Sequence, residues 1–568
     1  MVNKCGKELR ILLDLDKFLT LKNAKIFVFS SLARNFVLSL RQNKKCMKYP
    51  LGVQSFGSIR NDGYLYIDKT ALVYQIANGG KYYFLSRPRR FGKSLLISTL
   101  EAYFLGKKDL FRGLAIDQLE KEWKEYPTLK LSLNVANYTS AKVLNDVLND
   151  ATNSWCTQYG ITVNGETPSL RFKNLIIALY KKTGSKVVVL VDEYDKPLLQ
   201  SLDDRELLSQ IRGDLKAFYD ILKPMDEYVQ FGFFTGVTKF SKVSVFSDLN
   251  NLTDIAMDQR YVELCGITEN EIRTCLDSQV GEMAEANGMS KDECYERLKK
   301  TYDGYHFEAD TVGIYNPYSL LNALSSKAFK DYWFETGTPS YLIEQLKRTN
   351  YPLTNLGTEE ITADVLGNID TIDQSPIPML YQSGYLTLRS YDKEFEMYHL
   401  AFPNLEVERG FTRFLIPYYT QLRSDQGQLF VANFVKELRA GKVEAFMKRL
   451  ESLFADGDYQ VTGNAEFYFQ NVVWVIFKMI GFYTEVERHT SDGRIDMIVK
   501  TSDYIYILEF KLDKSADEAL QQIDDKQYAK PFENDSRHIY KIGVNFSTKT
   551  KRIDGWKIAE GEVIHEGH

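Results

Sequence analysis

Gly92-Lys93-Ser94 sits between two segments of opposite character, and this junction constrains the fold more than any other part of the chain. Before it, Tyr82 to Leu85 is a short apolar and aromatic run, the pattern of a buried strand. After it, Ser94 to Phe104 carries Leu95, Leu96, Thr99, Leu100 and Tyr103 at helical spacing. Strand, tight turn and helix N-terminus in that order make a phosphate-binding loop, where backbone N–H groups and the positive end of the helix dipole face an anion. Lys93 is then placed to reach the β- and γ-phosphates, and the Ser94 hydroxyl to ligate Mg²⁺. The usual pattern asks for glycine five positions before Gly92, and this chain has Arg87 there, followed by Pro88, Arg89 and Arg90. Arginine adds charge but lacks glycine's backbone freedom. Arg87, Arg89, Arg90, Gly92, Lys93 and Ser94 are the candidate nucleotide-binding residues. The plainer alternative is a helix cap of chance composition.

A second element supports the loop. Val187 to Val191 is wholly apolar, which suits the middle of a parallel sheet, and it ends in Asp192 and Glu193. Acids at the carboxyl end of such a strand lie in the ligand crevice of an open α/β sheet. Asp192 is expected to hold Mg²⁺ and Glu193 to polarise the attacking water, with Asp195 as an alternative or a helix cap before Pro197. Tyr228 to Phe234 reads as a third strand, and Thr238 beyond it is a candidate γ-phosphate sensor. A hydroxyl satisfying turn backbone is the alternative. A further strand is expected at Tyr261 to Cys265, then a helix capped by Thr268-Glu269-Asn270-Glu271.

The C-terminal third carries other chemistry. Asn464 to Gly481 has helical periodicity; Thr484 to Glu487, Arg494 to Val499 and Tyr504 to Leu512 read as strands, and Ser515 to Tyr528 as a helix. Glu509 and Lys511 share one face of an otherwise apolar strand, where charge is costly unless paired or metal-bound. Asp496 comes from the neighbouring strand, so two carboxylates can converge on one cation, and hard oxygen ligands suit Mg²⁺. Glu466 on the preceding helix is a further metal candidate. Lys511 is placed to orient water or neutralise a pentavalent phosphate, and Gln522 and Tyr528 to contact a nucleic-acid backbone. The alternative is a surface salt bridge between Glu509 and Lys511.

Several motifs resemble a known family. "RPRRFGKSLL", "VVLVDEYDKP", "FTGVTKFSK", "YDGYHF" (Tyr302 to Phe307) and "YNPYSLLNAL" (Tyr315 to Leu324) look like the bacterial AAA-ATPase-like family, in family order from about Tyr49 onward. The arginine at position 87 also looks normal for that family. The resemblance implies an additional-strand P-loop domain followed by a helical lid. "YDGYHF" and "YNPYS" are read as facing nucleotide or partner, or as aromatic turn packing. The C-terminal helix–β–β–β–α order with Asp496, Glu509 and Lys511 resembles the PD-(D/E)xK nuclease superfamily, although Ile495 stands where its proline is usual.

The expected architecture is therefore α/β and multidomain. The boundaries expected are 1–46 as a basic extension, 47–270 as the ATPase domain, 271–345 as the lid, 346–455 as a linking module and 456–568 as the nuclease-like domain. Residues 1–46 hold ten Lys/Arg against three acids, a net +7, which leaves −12 on the rest of a chain carrying −5. That break marks a boundary. It is read as upstream sequence outside the folded unit, with Met47 opening it, or as a basic arm. An acidic body excludes a histone-like polycation, so nucleic acid must meet a local patch. Six cysteines without a CxxC pair exclude a disulfide framework and fit a reducing, cytoplasmic compartment. No run reaches the ~18 apolar residues of a membrane span. The six histidines show no metal-ligand spacing. The expectation is an ATP-binding, Mg²⁺-dependent NTPase coupled to a metal-dependent nuclease acting on nucleic acid, DNA foremost, as a possible homo-oligomer or with a partner protein. The alternative is a nucleotide-dependent switch or adaptor whose nuclease-like domain binds nucleic acid or protein without cleaving.

Overall fold

The structure, a computed structural model, describes residues 47–239, 245–246, 249, 251–336, 340–367, 375–420, 422–455, 465–491 and 494–560. The basic segment 1–46 lies outside the described residues.

Five strands form the first sheet: β1 (Tyr82–Ser86), β2 (Thr128–Ser132), β3 (Val187–Asp192), β4 (Val229–Gly236) and β5 (Leu252–Asp254), in the order β2-β3-β4-β1-β5 and parallel throughout. Strand β4 is thus inserted between the phosphate-loop strand β1 and the acid-bearing strand β3, the additional-strand arrangement. The apolar runs follow from helices covering both faces: every residue of β3 is buried. Gly232 is required beside Tyr82, because a Cβ there would stand 2.6 Å from the tyrosine ring.

The strand expected at Tyr261–Cys265 is not formed. A 3₁₀ turn occupies Gln259–Tyr261, with the Asp258 carboxylate accepting the Arg260 N–H, and Val262 continues in helical conformation. Tyr261, Val262, Leu264 and Cys265 are buried by packing, not by strand pairing. The fifth strand is the three-residue β5, too short to leave a periodic signal.

A mainly helical segment follows. Thr268 and Glu271 form a reciprocal capping box on Glu269–Cys275, as their spacing predicts, and Ser290 and Glu293 form another on Lys291–Tyr302. The short strands β6 (Ile267–Thr268) and β7 (Ile314–Tyr315) pair antiparallel. Next, β8 (Glu360–Thr362), β9 (Thr387–Asp392) and β10 (Met397–Ala401) form an antiparallel sheet in the order β8-β10-β9. The helix Leu405–Tyr419, capped by Asn404, follows.

The C-terminal sheet has the order β11-β12-β13-β14-β15, built from Glu485–Ser491, Arg494–Lys500, Tyr504–Leu512, His538–Ser547 and Arg552–Glu560. Only β13 and β14 run parallel, and the helix Ala516–Asp525 crosses between them. The helix Ala465–Ile480 precedes the sheet. One contiguous apolar cluster runs from Phe84 through Leu386 and Phe411 to Phe477 and Phe510, so the two sheets share a continuous core.

Candidate active sites

The phosphate loop takes its shape from two residues in left-handed conformation, Arg90 at φ 70° and Gly92 at φ 89°. Apart from its chain neighbours, no atom of the described residues lies within 4 Å of the position a Gly92 Cβ would take, so the loop backbone there is open to an anion. Arg89, Arg90 and Gly92 are exposed, and Ser94 is half-buried in the first helical turn. Lys93 is buried, and its Nζ donates to the Arg87 and Pro88 carbonyls at 2.9 Å each. Burial depresses its pKa, while Asp195 and Asp192 pull it back up. Arg87 lies elsewhere than sequence reasoning places it. It is 2% exposed, donates to the Ser86, Ala256 and Tyr261 carbonyls, and holds its guanidinium 3.8 Å from the Phe307 ring centroid. Its charge is spent inside the fold, and burial lowers its pKa to about 10.

Asp192 ends β3 almost fully buried, and its Oδ1 has no hydrogen-bond partner among the described residues. A buried carboxylate oxygen in that condition is costly without a cation, so the donor chemistry fits Mg²⁺. Glu193 follows at φ 52°. Burial raises its pKa, and the Asp192 charge raises it further. Asp195 is the residue whose role sequence reasoning left open. Its Oδ2 accepts from the Val237 N–H at 2.9 Å, the Thr238 N–H at 2.6 Å and the Thr238 hydroxyl at 2.6 Å. Asp195 therefore ties the β3 turn to the end of β4 and fixes Thr238.

The "YDGYHF" motif packs against the loop from outside the first sheet. The Tyr305 and Phe307 rings meet Phe91 edge-on, with centroids 4.8 and 5.4 Å away. Gly304, at φ 92°, must be glycine, since a Cβ would stand 2.0 Å from the Pro403 carbonyl. The His306 N–H donates to the Thr387 hydroxyl. From "YNPYS", Asn316 caps its helix and Tyr318 lies under the Arg90 guanidinium, 5.0 Å from CZ to the ring centroid.

In the C-terminal sheet the register pairs Asp496 on β12 with Glu509 on β13, directly opposite. The Asp496 side chain lies outside the described set. Glu509 is wholly buried and Lys511 is 6% exposed. Lys511 Nζ pairs with Glu509 Oε1 at 2.5 Å and also donates to Gln522 Oε1 on the crossing helix. The pair is therefore internal and not a surface salt bridge. Gly543 lies opposite Glu509 on β14, and a Cβ there would stand 2.3 Å from the Ala516 carbonyl. Its absence lets the Ala516–Asp525 helix come down far enough for Gln522 to reach Lys511. Sequence reasoning missed Gly543, although a glycine inside an apolar strand signals close backbone approach. Glu466 stands in the first turn of Ala465–Ile480 and accepts from Gln470 at 3.2 Å. Tyr528, expected at the nucleic-acid backbone, is partly buried against the apolar cluster that Ile498, Ile505, Ile507, Ile523 and Phe532 form. Among the described residues no three His, Cys, Asp or Glu side chains form a ready metal cage.

Residues 50–246 match the family described as "Predicted AAA-ATPase", and residues 464–556 match the PD-(D/E)XK nuclease superfamily. A protein from Azotobacter chroococcum mcd 1, described as "Uncharacterized protein in vnfD 5'region", is 34% identical over 525 residues, covering 90% of this chain and 98% of the relative. The chain belongs to the AAA-ATPase-like family with a C-terminal PD-(D/E)XK nuclease superfamily domain. The observed strand orders agree with both halves of that membership. In this AAA-ATPase-like chain the matched regions end and begin on either side of the middle segment, whose residues clamp the phosphate loop. Among the described residues no helix is long and apolar enough to cross a membrane.

Proposed function

We propose that this chain hydrolyses ATP and uses the nucleotide cycle to govern a Mg²⁺-dependent nuclease that cleaves phosphodiesters of nucleic acid, DNA foremost. The observation that carries the nuclease half is the buried Glu509–Lys511 pair with Asp496 in register beside it. A buried ion pair returns less stability than apolar side chains of the same volume. A fold that only bound a partner would gain nothing by keeping it.

At the loop, the backbone N–H groups of Gly92 to Ser94 and the Lys93 ammonium bind the β- and γ-phosphates. Ser94 and Asp192 would hold Mg²⁺, and Arg89 and Arg90 add positive charge at the exposed rim. Glu193 takes the proton of the attacking water, a task favoured by its raised pKa. Thr238, held by Asp195, reads the γ-phosphate.

At the second site Asp496 and Glu509, with Glu466 from the preceding helix, would hold a divalent cation. Such a cation neutralises phosphate charge and acidifies water. Lys511 donates to the oxygen that gains charge as the phosphodiester opens. Gln522 fixes the Lys511 ammonium, and Tyr528 supports the helix that carries Gln522. The units assigned are 47–270 for ATP hydrolysis, 271–345 as lid, 346–455 as link and 456–568 for cleavage. Free cysteines at 156, 265, 275 and 294 suit a cytoplasmic setting. Partners are nucleic acid and either a second copy of this chain or another protein.

The second reading is a nucleotide-driven adaptor whose nuclease-like domain binds nucleic acid or protein without cleaving it. Cleavage assays with Mg²⁺ or Mn²⁺ on single- and double-stranded DNA and RNA separate the two. Asp496→Asn and Lys511→Ala are each expected to lower cleavage by ~10² or more, and Lys511→Ala, which leaves Glu509 buried without its cation, to cost stability as well. Cleavage unchanged in both variants overturns the assignment of these residues, and binding without cleavage by wild type leaves the adaptor reading standing.

A further inference from the structure

Trp333 is a point of contact between the phosphate loop and the segment that reaches the C-terminal sheet. Its indole Nε1 donates to the Arg89 carbonyl at 3.3 Å, and its backbone N–H donates to Glu406 Oε1 at 2.8 Å. Glu406 is 1% exposed and sits in the first turn of the Leu405–Tyr419 helix. That helix is also fixed at its cap, where Asn404 Nδ2 donates to the Asp303 carbonyl of "YDGYHF" at 2.8 Å.

The contacts continue without a break. Glu408, two residues further along the same helix, pairs with Lys478 on the Ala465–Ile480 helix. Asn471 of the same helix accepts from the Leu353 N–H at 2.9 Å and donates to the Tyr351 carbonyl at 3.3 Å. Phe477 meets Phe510 edge-on, with centroids 6.1 Å apart. Phe510 is the residue between Glu509 and Lys511 on β13.

We propose that Trp333, seated by Glu406, is the positioning residue through which nucleotide at the phosphate loop alters the strand that carries Glu509 and Lys511. The inference rests on the function proposed above. Its physical basis is the peptide joining Arg89 to Arg90. The Arg89 carbonyl accepts from the indole, while Arg90 is held left-handed at φ 70° in the loop that must present its N–H groups to phosphate. In this proposal, closing the loop backbone on an anion turns that peptide plane and so shifts the indole bond. An element with two arrangements, biased from both ends, carries coupling between distant sites.

Hydrogen exchange of the full chain, with and without Mg²⁺·ATP, tests this in wild type, Trp333→Phe, Glu406→Gln and Glu406→Leu. Trp333→Phe keeps an aromatic ring against Phe334 and Tyr385 but removes the indole donor. Glu406→Gln keeps an oxygen for the Trp333 N–H, and Glu406→Leu does not. In wild type, ATP is expected to slow exchange at residues 86–96 and to change it at 465–480 and 504–512. In Trp333→Phe and Glu406→Leu the loop response stays and the distant response falls at least fivefold; Glu406→Gln restores it. A distant response of wild-type size in Trp333→Phe overturns the inference while leaving the proposed function intact. No ATP response at residues 86–96 in wild type overturns the nucleotide-binding reading and the inference with it.

Discussion

Single residues here are legible in proportion to how local their chemistry is. The placement of Lys93 and Ser94 at a loop–helix junction, and of Asp192 and Glu193 at the end of a buried strand, is readable because both are short local patterns. Arg87 does not, because its partners Ala256, Tyr261 and Phe307 are remote in sequence. Lys93→Ala is expected to abolish ATP binding measured by calorimetry, since it removes the ammonium proposed to reach the β- and γ-phosphates. Asp195→Ala releases two N–H groups and the Thr238 hydroxyl at once. It is expected to lower ATP turnover more than ATP affinity, with Asp195→Asn recovering much of the loss; an equal drop in both for Ala and Asn contradicts the clamp. Glu406 gives a prediction with a sign. Burial raises its pKa from the ordinary 4.5 to about 8, so the folded state holds a proton that the unfolded chain has lost. Stability from this group is full below about pH 4.5 and falls as pH rises toward about 8, by on the order of 5 kcal/mol. Glu406→Gln removes that titration. Its urea midpoint is expected to vary less between about pH 6 and pH 9, and to exceed wild type at the upper end.

At the scale of elements, strands and helices with uninterrupted patterns are readable, and elements defined by distant partners are not. Strand β13 falls on Tyr504–Leu512 as its apolar run predicts, and the capping box at Thr268 and Glu271 forms as its spacing predicts. Tyr261–Cys265 misleads because an apolar run buried by packing has the same composition as a strand. Strands β14 and β15 leave no clear local signal, since β14 pairs parallel with β13 only after a helical crossover. Gly543 belongs to this scale, because it sets the distance between the crossing helix and the sheet. Gly543→Val is expected to lower thermal stability, at a cost of ~1–3 kcal/mol, and to reduce cleavage by separating Gln522 from Lys511. Gln522→Ala alone reproduces the second effect without the first. Loss of stability in Gly543→Val with cleavage unchanged would show that the helix position is unimportant to the site.

In the whole molecule, the continuous core is the feature no motif announces. Two family patterns suggest an ATPase domain and a nuclease-like domain with a lid and a linking module set between them. The fold instead wraps the middle segment around the phosphate loop, with Trp333, Tyr305 and Phe307 on one side and the Leu405–Tyr419 helix leading to the other site. Tight packing of this kind transmits small displacements, which makes nucleotide control of the C-terminal site the central claim. It is tested most directly by the cleavage rate of the full chain in Mg²⁺, measured with and without ATP, beside Lys93→Ala. The account predicts that ATP changes the wild-type rate at least fivefold, a coupling of about 1 kcal/mol, and leaves the Lys93→Ala rate unchanged. An ATP effect of equal size in Lys93→Ala, or no cleavage by wild type under either condition, contradicts it.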